Sequence, residues 1–374
     1  MVKKRKKEKK QEIQNNQDNQ KKQEDQLNTN EKIIPKDKLD SIIKGLSSDF
    51  KLIVPKEAEN EIEFDYLDLD KEEYQFPDYQ NLRVSPKKFL FPQKEVLYSF
   101  EKEGTNIKIK EKEESIEDQV IFGIRSCDAR SYIILDTFFS SGKYSDPYYF
   151  SKRNKTLLIG FACNEPMSTC FCTSVGGAPF SSEGLDAILY DLGDKYIFKI
   201  ISEKGSIFDK YIKEYPNVSK ADVKKKEEMA SAARDKIQFK INLDNVEKDL
   251  DGLFESEIWS KVSRRCLSCG ACSYVCPTCH CFDVQDKSDK HGGKRVRIWD
   301  NCQASIFTLE ASGHNPRNSG KERTRQRIYH KFNYYLKNYK ILGCVGCGRC
   351  IKVCPTNRDI RETLKVVVET AEKA

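Results

Sequence analysis

The chain has 374 residues, of which 38% are hydrophobic and 33% are charged, with 15 cysteines and a formal net charge of +7. No run of about 18 or more uncharged apolar residues occurs, which excludes a transmembrane helix, and the N-terminus lacks the apolar segment of a secretory signal. We therefore expect a cytoplasmic protein with no membrane span. In that reducing compartment, closely spaced cysteines indicate metal binding rather than disulfides.

Residues 1–30 are rich in Lys, Gln and Asn and almost free of apolar residues. Such a segment buries too little surface to offset the entropy cost of ordering, so we predict a disordered tail. Its basic run Lys3–Lys10 is typical of a solvated tail, and the alternative is an electrostatic contact with nucleic acid or an acidic membrane surface. Because the rest of the chain is nearly charge-balanced and has no recognition motif, we expect no nucleic-acid partner.

Short apolar segments alternate with amphipathic ones between residues 31 and 255. Segments rich in β-branched or aromatic residues predict strands, and they are Phe50–Val54, Gln119–Ile124, Thr156–Phe161 and Tyr196–Ile201. Amphipathic or polar segments predict helices, and they are Lys36–Leu46, Arg130–Phe139, Ile207–Tyr215 and residues 221–236. The alternation indicates a mixed α/β domain over residues 31–255, and an α+β protein as a whole.

Two segments in the C-terminal third repeat the pattern C-x2-C-x2-C-x3-C-P. The first runs from Cys266 to Pro277 and the second from Cys344 to Pro355. Three cysteines separated by two residues can wrap three corners of a 4Fe–4S cubane, and in two-cluster ferredoxins the fourth cysteine ligates the other cluster. Structural zinc sites usually pair cysteines across a longer gap, so the pattern favours clusters over zinc.

The fourth-cysteine rule predicts two clusters with crossed ligands. The first would be held by Cys266, Cys269, Cys272 and Cys354, and the second by Cys344, Cys347, Cys350 and Cys276. The long segment between the motifs contains two further predicted helices, Gln303–Ser312 and Arg323–Tyr339. We therefore predict that residues 256–374 form an α-helical ferredoxin-type domain rather than a small β-hairpin ferredoxin.

Seven cysteines lie outside the two motifs. Four of them, Cys127, Cys163, Cys170 and Cys172, are candidates for a third cluster, and the alternative is a set of buried thiols that pack as small hydrophobes. The other three, Cys279, Cys281 and Cys302, lie close to the first motif and are interpreted as packing or supporting sulfur; in the alternative they are ligands, with His280 as a further member. The basic residues of the last predicted helix are Arg323, Arg325, Arg327 and Lys331. They form a solvated face, offset the charge of the anionic clusters or dock an acidic partner.

Several longer blocks carry a family resemblance. In the C-terminal third they are Cys276–Asp283, Trp299–Cys302, Gly313–Arg317 and Gly343–Ile351, and in the N-terminal part they are Ser85–Gln93, Phe122–Arg130, Asp146–Tyr149, Ala162–Pro166 and Thr169–Gly177. With these blocks the chain resembles the β subunit of cytosolic sulfhydrogenases and the similar iron–sulfur subunit of anaerobic sulfite reductases, over roughly residues 33–365.

The resemblance implies a relay subunit in a cytoplasmic, anaerobic oxidoreductase. Such a subunit would pass electrons between a flavin subunit that handles NAD(P)H and a catalytic subunit, which is a NiFe hydrogenase in one branch and a sirohaem sulfite reductase in the other. The chain has no Gly-x-Gly-x-x-Gly fingerprint, so we expect no nucleotide cofactor of its own and no catalytic residue. The alternative is a redox enzyme whose N-terminal cysteines are catalytic and are supplied with electrons by the clusters.

Overall fold

The structure, a computed structural model, describes residues 30–59, 61–111 and 116–373. The tail predicted over residues 1–30 lies outside these ranges except for its last residue. None of the described helices is both long enough and apolar enough to cross a membrane.

Strands and helices are both well represented among the described residues. The strands are β1 (Glu31–Pro35), β2 (Lys51–Ala58), β3 (Glu61–Tyr66), β4 (Lys94–Glu103), β5 (Asn106–Glu111), β6 (Gln119–Ile124), β7 (Thr156–Phe161), β8 (Ala187–Asp191), β9 (Lys195–Ile200), β10 (Phe282–Ser288) and β11 (Gly292–Trp299). The α-helices are α1 (Leu39–Asp49), α2 (Ser126–Phe139), α3 (Pro147–Asn154), α4 (Asp209–Ile212), α5 (Lys220–Asp235), α6 (Val246–Asp251), α7 (Ile258–Ser263), α8 (Ala271–Tyr274), α9 (Gly320–Tyr329), α10 (Tyr335–Tyr339), α11 (Arg349–Lys352) and α12 (Ile360–Ala371). A π-helical segment, His330–Tyr334, joins α9 to α10, and short 3-10 turns include Cys172–Val175.

A seven-stranded mixed sheet organises the N-terminal part. Its order is β1-β9-β8-β7-β6-β2-β3, with β2, β6, β7 and β8 parallel and the outer pairs antiparallel. The interior strand β6, between β7 and β2, is buried along its whole length. Continuous burial is expected for a parallel strand covered on both faces, and it explains why β6 has an apolar run without alternation. Because parallel neighbours end at the same edge, the residues after β6 and β7 are brought close together.

A second, four-stranded antiparallel sheet has the order β10-β11-β4-β5. It pairs the β10–β11 hairpin of the C-terminal third with β4 and β5 from before residue 112. The division at residue 255 stays a prediction, and this sheet joins strands from both sides of it. The hairpin was not predicted because β10 is almost wholly exposed and has no apolar alternation.

The C-terminal third packs its helices around a core of its own. Trp259, Phe332 and Leu364 form its centre, and each is essentially inaccessible to solvent. Phe171 and Val175, from the loop after β7, insert into the same core. The loop that carries Cys170 and Cys172 is therefore held against the ferredoxin-type helices.

The α+β class is confirmed, and β6 and β7 have the bounds that the sequence predicts. The prediction of a helix over Gln303–Ser312 was wrong, because only a single 3-10 turn forms there. The side chain of Asn315 explains the difference: its amide nitrogen donates to the Ser305 carbonyl at 2.6 Å and its oxygen accepts from Thr308 Oγ1 at 2.8 Å. Such side-chain bonds compete with helical ones.

Candidate metal centre

The two cysteine motifs fold in the same way. In the first, Ser268 and Gly270 have positive φ angles of 57° and 76°; in the second, Gly346 and Gly348 have 65° and 74°. Each loop then enters a one-turn helix, α8 or α11, and these two helices pack against each other. Left-handed residues turn successive backbone N–H groups towards one point, which suits an anionic, sulfur-rich group.

Three of these positions have no room for a side chain. A Cβ on Gly270 would lie 2.7 Å from Asn301 Oδ1, one on Gly346 would lie 2.5 Å from the Cys172 nitrogen, and one on Gly348 would lie 2.4 Å from Thr169 Oγ1. Glycine is therefore required by crowding as well as by the positive φ angle. The crowding also shows that the second motif packs directly on the loop that carries Cys170 and Cys172.

One cavity is lined by cysteines of both motifs. The thiol-bearing residues around it are Cys266, Cys269 and Cys272 of the first motif and Cys350 and Cys354 of the second. Four of these five, all except Cys350, are the residues that the sequence assigns to one cluster. Cys269 is exposed, and its neighbour Leu267 is 67% exposed, so this cavity lies at the protein surface.

The other four motif cysteines also lie together, but deeper in the protein. Burial raises the pKa of Cys344 to about 11 against the charge of Lys331, and the thiol of Cys276 adds to the increase. Cys276 likewise contributes to the raised pKa values of Cys347 and Cys350, where burial is again the main cause. Cys276 and Cys347 are each 8% exposed. The last cysteine of the first motif therefore lies beside the first three of the second, which is the crossed arrangement.

Hydroxyl and amide groups contact the cysteine sulfurs in both motifs. The threonine two residues after the last cysteine lies beside its Sγ in each case, Thr278 at 3.3 Å from Cys276 and Thr356 at 3.5 Å from Cys354. The Arg358 amide also donates to Cys354 Sγ at 3.2 Å. Donors aimed at sulfur favour the thiolate, the form that binds metal. The repeated Cys-Pro-Thr was a signal available in the sequence that we did not use.

Three basic side chains form a buried row along the helix that spans α9 and the π-helical segment. Arg323, Arg327 and Lys331 are spaced four residues apart, so they share one face, and each is less than 9% exposed. Arg323 donates to Ser268 Oγ at 3.0 Å, in the first motif, and Arg327 lines the first cavity. The interpretation that this charge offsets the clusters is therefore favoured over a solvated face, except for Arg325, which contacts Phe254 and Glu255 instead.

Two lysines are buried around Cys276. Lys331 Nζ lies 3.3 Å from Cys276 Sγ and donates to Thr278 Oγ1 and the Gly343 carbonyl at 2.8 and 2.9 Å. Lys87 Nζ donates to the carbonyls of Cys276 and Cys279 at 2.9 and 2.8 Å. Neither lysine pairs with a carboxylate of the described residues. Because a buried cation needs a compensating charge, both point to an anionic group at this site.

The sequence did not reveal Lys87, although it lies in one of the blocks that carry the resemblance. It is 3% exposed, and burial lowers its pKa to about 8. Burial also opposes the charge on Lys331, yet the thiols of Cys276 and Cys279 raise its pKa. The thiols of Cys276 and Cys279 act on both lysines. They outweigh the effect of burial on the pKa of Lys331 but not on the pKa of Lys87.

Cys279, Cys281 and Cys302 lie beside the motif cysteines. Cys279 lies beside Cys276 and Cys281 beside Cys302, and within each pair the neighbouring thiol lowers the pKa of Cys276 and Cys302 and raises that of Cys279 and Cys281. His280 lines one small cavity together with Cys279, Cys281 and Cys302. Its ring lies 3.6 Å from that of Phe138, and its Nδ1 lies 3.1 Å from the Thr278 carbonyl oxygen.

Burial, reinforced by His330, lowers the pKa of His280 to about 3, so the imidazole is neutral and packed in the interior.

The four other cysteines, Cys127, Cys163, Cys170 and Cys172, are brought together next to the second motif. A buried ion pair fixes that contact, because the Arg349 guanidinium donates to both oxygens of Asp128 at 2.6 and 2.8 Å.

Comparison with known proteins agrees with the two cysteine motifs. The model of a 4Fe–4S dicluster domain family matches residues 265–358, which contain both motifs and the segment between them. The sulfhydrogenase 2 subunit beta of Pyrococcus furiosus is 32% identical over 302 residues, which cover 79% of this chain and 85% of that protein. No solved structure matches the chain.

The match to the relative extends well beyond the dicluster domain. The aligned part is more than three times as long as residues 265–358, so most of it lies before residue 265. The family predicted from the sequence blocks is thus confirmed. This chain belongs to the sulfhydrogenase β-subunit family and contains an iron–sulfur, electron-transferring 4Fe–4S dicluster domain.

Proposed function

We propose that the chain is a relay subunit that passes electrons between a flavin subunit handling NAD(P)H and a separate catalytic subunit, of the NiFe hydrogenase or the sulfite reductase type. The observation that carries the proposal is the crossed grouping of the motif cysteines, connected by the buried row Arg323, Arg327 and Lys331. The name of the relative describes one subunit of a larger enzyme. That supports a hetero-oligomer, which we place in the cytoplasm of an anaerobic cell.

Two 4Fe–4S clusters fit the residues present. We assign the first to Cys266, Cys269, Cys272 and Cys354, and the second to Cys344, Cys347, Cys350 and Cys276. Such a cluster accepts and releases a single electron, at a potential set by burial, hydrogen bonds to sulfur and local charge. The chain's own residues supply these three factors. The fold buries Cys276 and Cys347 of the second site, Thr278 and Thr356 lie against sulfur, and the buried cations balance negative charge.

The two sites differ in their access to solvent, which suggests where a partner binds. Cys269 and Leu267 of the first motif are exposed, whereas Cys276 and Cys347 of the second site are buried against the rest of the chain. Electron transfer between proteins requires a short separation between redox groups. We therefore infer that one partner docks over the first motif.

The alternative of a catalytic N-terminal domain is less consistent with the geometry. A catalytic thiol needs access to substrate and a lowered pKa. Burial instead raises the pKa values of Cys170 and Cys172, each to about 12, and Cys170 is 7% exposed. Thiols in such surroundings remain protonated and unreactive unless a metal binds them.

The proposal is tested by isolating the tagged chain anaerobically with its partners and replacing one proposed ligand, Cys354→Ser. Two dye-linked activities, one for the flavin subunit and one for the catalytic subunit, serve as internal controls because neither needs an intact relay. We expect both to persist while the coupled reaction, from NAD(P)H to the final acceptor, falls by at least tenfold. Full coupled activity after the loss of that cluster would refute the relay.

A further inference from the structure

A second group of four cysteines lies outside the two motifs and is built from three separate segments. Cys127 is the second residue of α2, directly after β6, and Cys163 follows β7. Cys170 and Cys172 lie in the loop that leads into the 3-10 turn Cys172–Val175. Since β6 and β7 are parallel neighbours, their following residues meet at one edge of the sheet, which is where open α/β sheets bind ligands.

Several hydrogen bonds draw the three segments together. The Pro179 carbonyl accepts from the Cys163 amide at 3.0 Å and from the Ser126 hydroxyl at 3.1 Å, so the starts of two segments share one acceptor. Arg130 of α2 donates to the Val175 carbonyl at the end of the 3-10 turn. The four cysteines are thus held on a fixed framework, and all four are free thiols.

The side chain of Tyr79 lies among these thiols. It is 7% exposed, and its hydroxyl has no hydrogen-bond partner among the described residues. Burial is the main cause that raises its pKa, and the charges of Cys163 and Cys127 add to the increase. A buried hydroxyl without a partner destabilises the fold, and an acceptor placed between these cysteines would remove that cost.

A buried cation is also left without an anion at this place. Arg125 is 5% exposed, and its guanidinium lies over the ring of Tyr79, with 4.3 Å between its central carbon and the ring centroid. It donates only to carbonyl oxygens, those of Tyr79, Gln80, Phe161 and Ala162, and pairs with no carboxylate of the described residues. Four metal-bound thiolates would supply the missing negative charge.

The position next to the second motif indicates which metal group fits. Cys170 Sγ lies 3.7 Å from the Cys347 carbonyl oxygen, and the Phe171 amide donates to the Gly346 carbonyl at 2.8 Å. The amide of Asn81 connects the same two places, donating to the Cys347 carbonyl at 3.2 Å with Cys127 Sγ at 3.9 Å. A redox-active group here would be a direct neighbour of the cluster that we assign to Cys347.

We propose that Cys127, Cys163, Cys170 and Cys172 bind a third 4Fe–4S cluster, so that the relay continues from the second motif into the N-terminal domain. Two ferrous ions, two ferric ions and four sulfide ions come from solution, four S–H bonds are replaced by four Fe–S bonds, and four protons are released, so that no further oxidant or reductant is needed. The cluster site does not depend on which partners the relay serves, because it is defined by residues of this chain alone.

The test begins with the iron and acid-labile sulfide content of the full chain after anaerobic purification and reconstitution. Three cubanes give about twelve iron atoms and two give about eight. We expect about twelve in the unmodified chain and about eight in Cys163→Ser and in Cys127→Ser. The double variant should also keep about eight, because both substitutions remove the same cluster. By contrast, combining Cys163→Ser with Cys354→Ser should leave about four.

A spectroscopic count provides a second readout, independent of the iron analysis. Integration of the EPR signal of the fully reduced chain should give about three spins per chain, and about two in Cys163→Ser. About eight iron atoms and two spins in the unmodified chain would overturn the proposal. So would one zinc ion per chain that is lost in Cys163→Ser.

Discussion

The buried Lys331 should raise the reduction potential of the cluster assigned to the second motif. Its ammonium lies 3.3 Å from Cys276 Sγ and has no carboxylate partner among the described residues. An added electron makes the cluster more negative, and a nearby cation stabilises that state. Replacing the lysine, as in Lys331→Met, should therefore shift the potential to more negative values.

The size of the shift follows from the distance. A unit charge about 6 Å from the centre of the added charge contributes about 3 kcal/mol at an effective dielectric constant of about 20. For a one-electron couple this corresponds to about 120 mV. Because water and side-chain rearrangement recover part of the loss, we expect a shift of about 50–120 mV.

The assay is an EPR-monitored redox titration of the anaerobically purified chain. Lys337→Met is the matched control, since it removes the same charge from the same helical run, where Lys337 is half-exposed and paired with Asp251. The control should shift the potential by less than about 20 mV, because solvent screens an exposed charge. Equal shifts in the two variants, with full iron content in both, would refute the assignment of Lys331 to this cluster.

Three further predictions concern the framework that holds the site. Asp128→Asn leaves the Arg349 charge buried and unpaired, so urea denaturation of the reconstituted chain should show a loss of about 3–5 kcal/mol, and a loss below 1 kcal/mol would contradict this account of the ion pair. Gly346→Ala places a Cβ 2.5 Å from the Cys172 nitrogen, and we expect the variant to bind about four iron atoms fewer than the unmodified chain. The control is Gly104→Ala, because Gly104 has a similar φ angle but open space around it, and this variant should retain full iron content. Equal iron content in the two variants would be evidence against crowding at Gly346. Leu364→Ala removes a fully buried side chain of the C-terminal core and should lower the unfolding free energy by about 2–5 kcal/mol, which thermal and chemical denaturation would both measure.

The sequence predicted the dicluster domain better than its surroundings. Cysteine spacing is a local property, so the two motifs could be read from residue order alone, and the crossed ligand sets stay a prediction. Strands such as β6 and β7 were also found with correct bounds, because buried parallel strands form continuous apolar runs.

Features that depend on distant contacts were missed. In the sequence Lys87 looks like any surface lysine. Its place at the site depends on contacts with the carbonyls of Cys276 and Cys279, which lie far along the chain. The β10–β11 hairpin is stabilised by pairing with β4 rather than by an apolar pattern of its own. Arg125 likewise has no local signal, because its role rests on carbonyls and rings contributed by other segments.

The measurement that tests the relay most directly is rapid freeze-quench EPR on the intact complex, mixed with NAD(P)H in the presence of the final electron acceptor. We expect the clusters of this chain to become reduced and reoxidised at least as fast as the complex turns over. The Cys354→Ser complex should show reduction of the flavin side without electron delivery to the acceptor. Clusters that stay oxidised during full turnover would contradict the relay function.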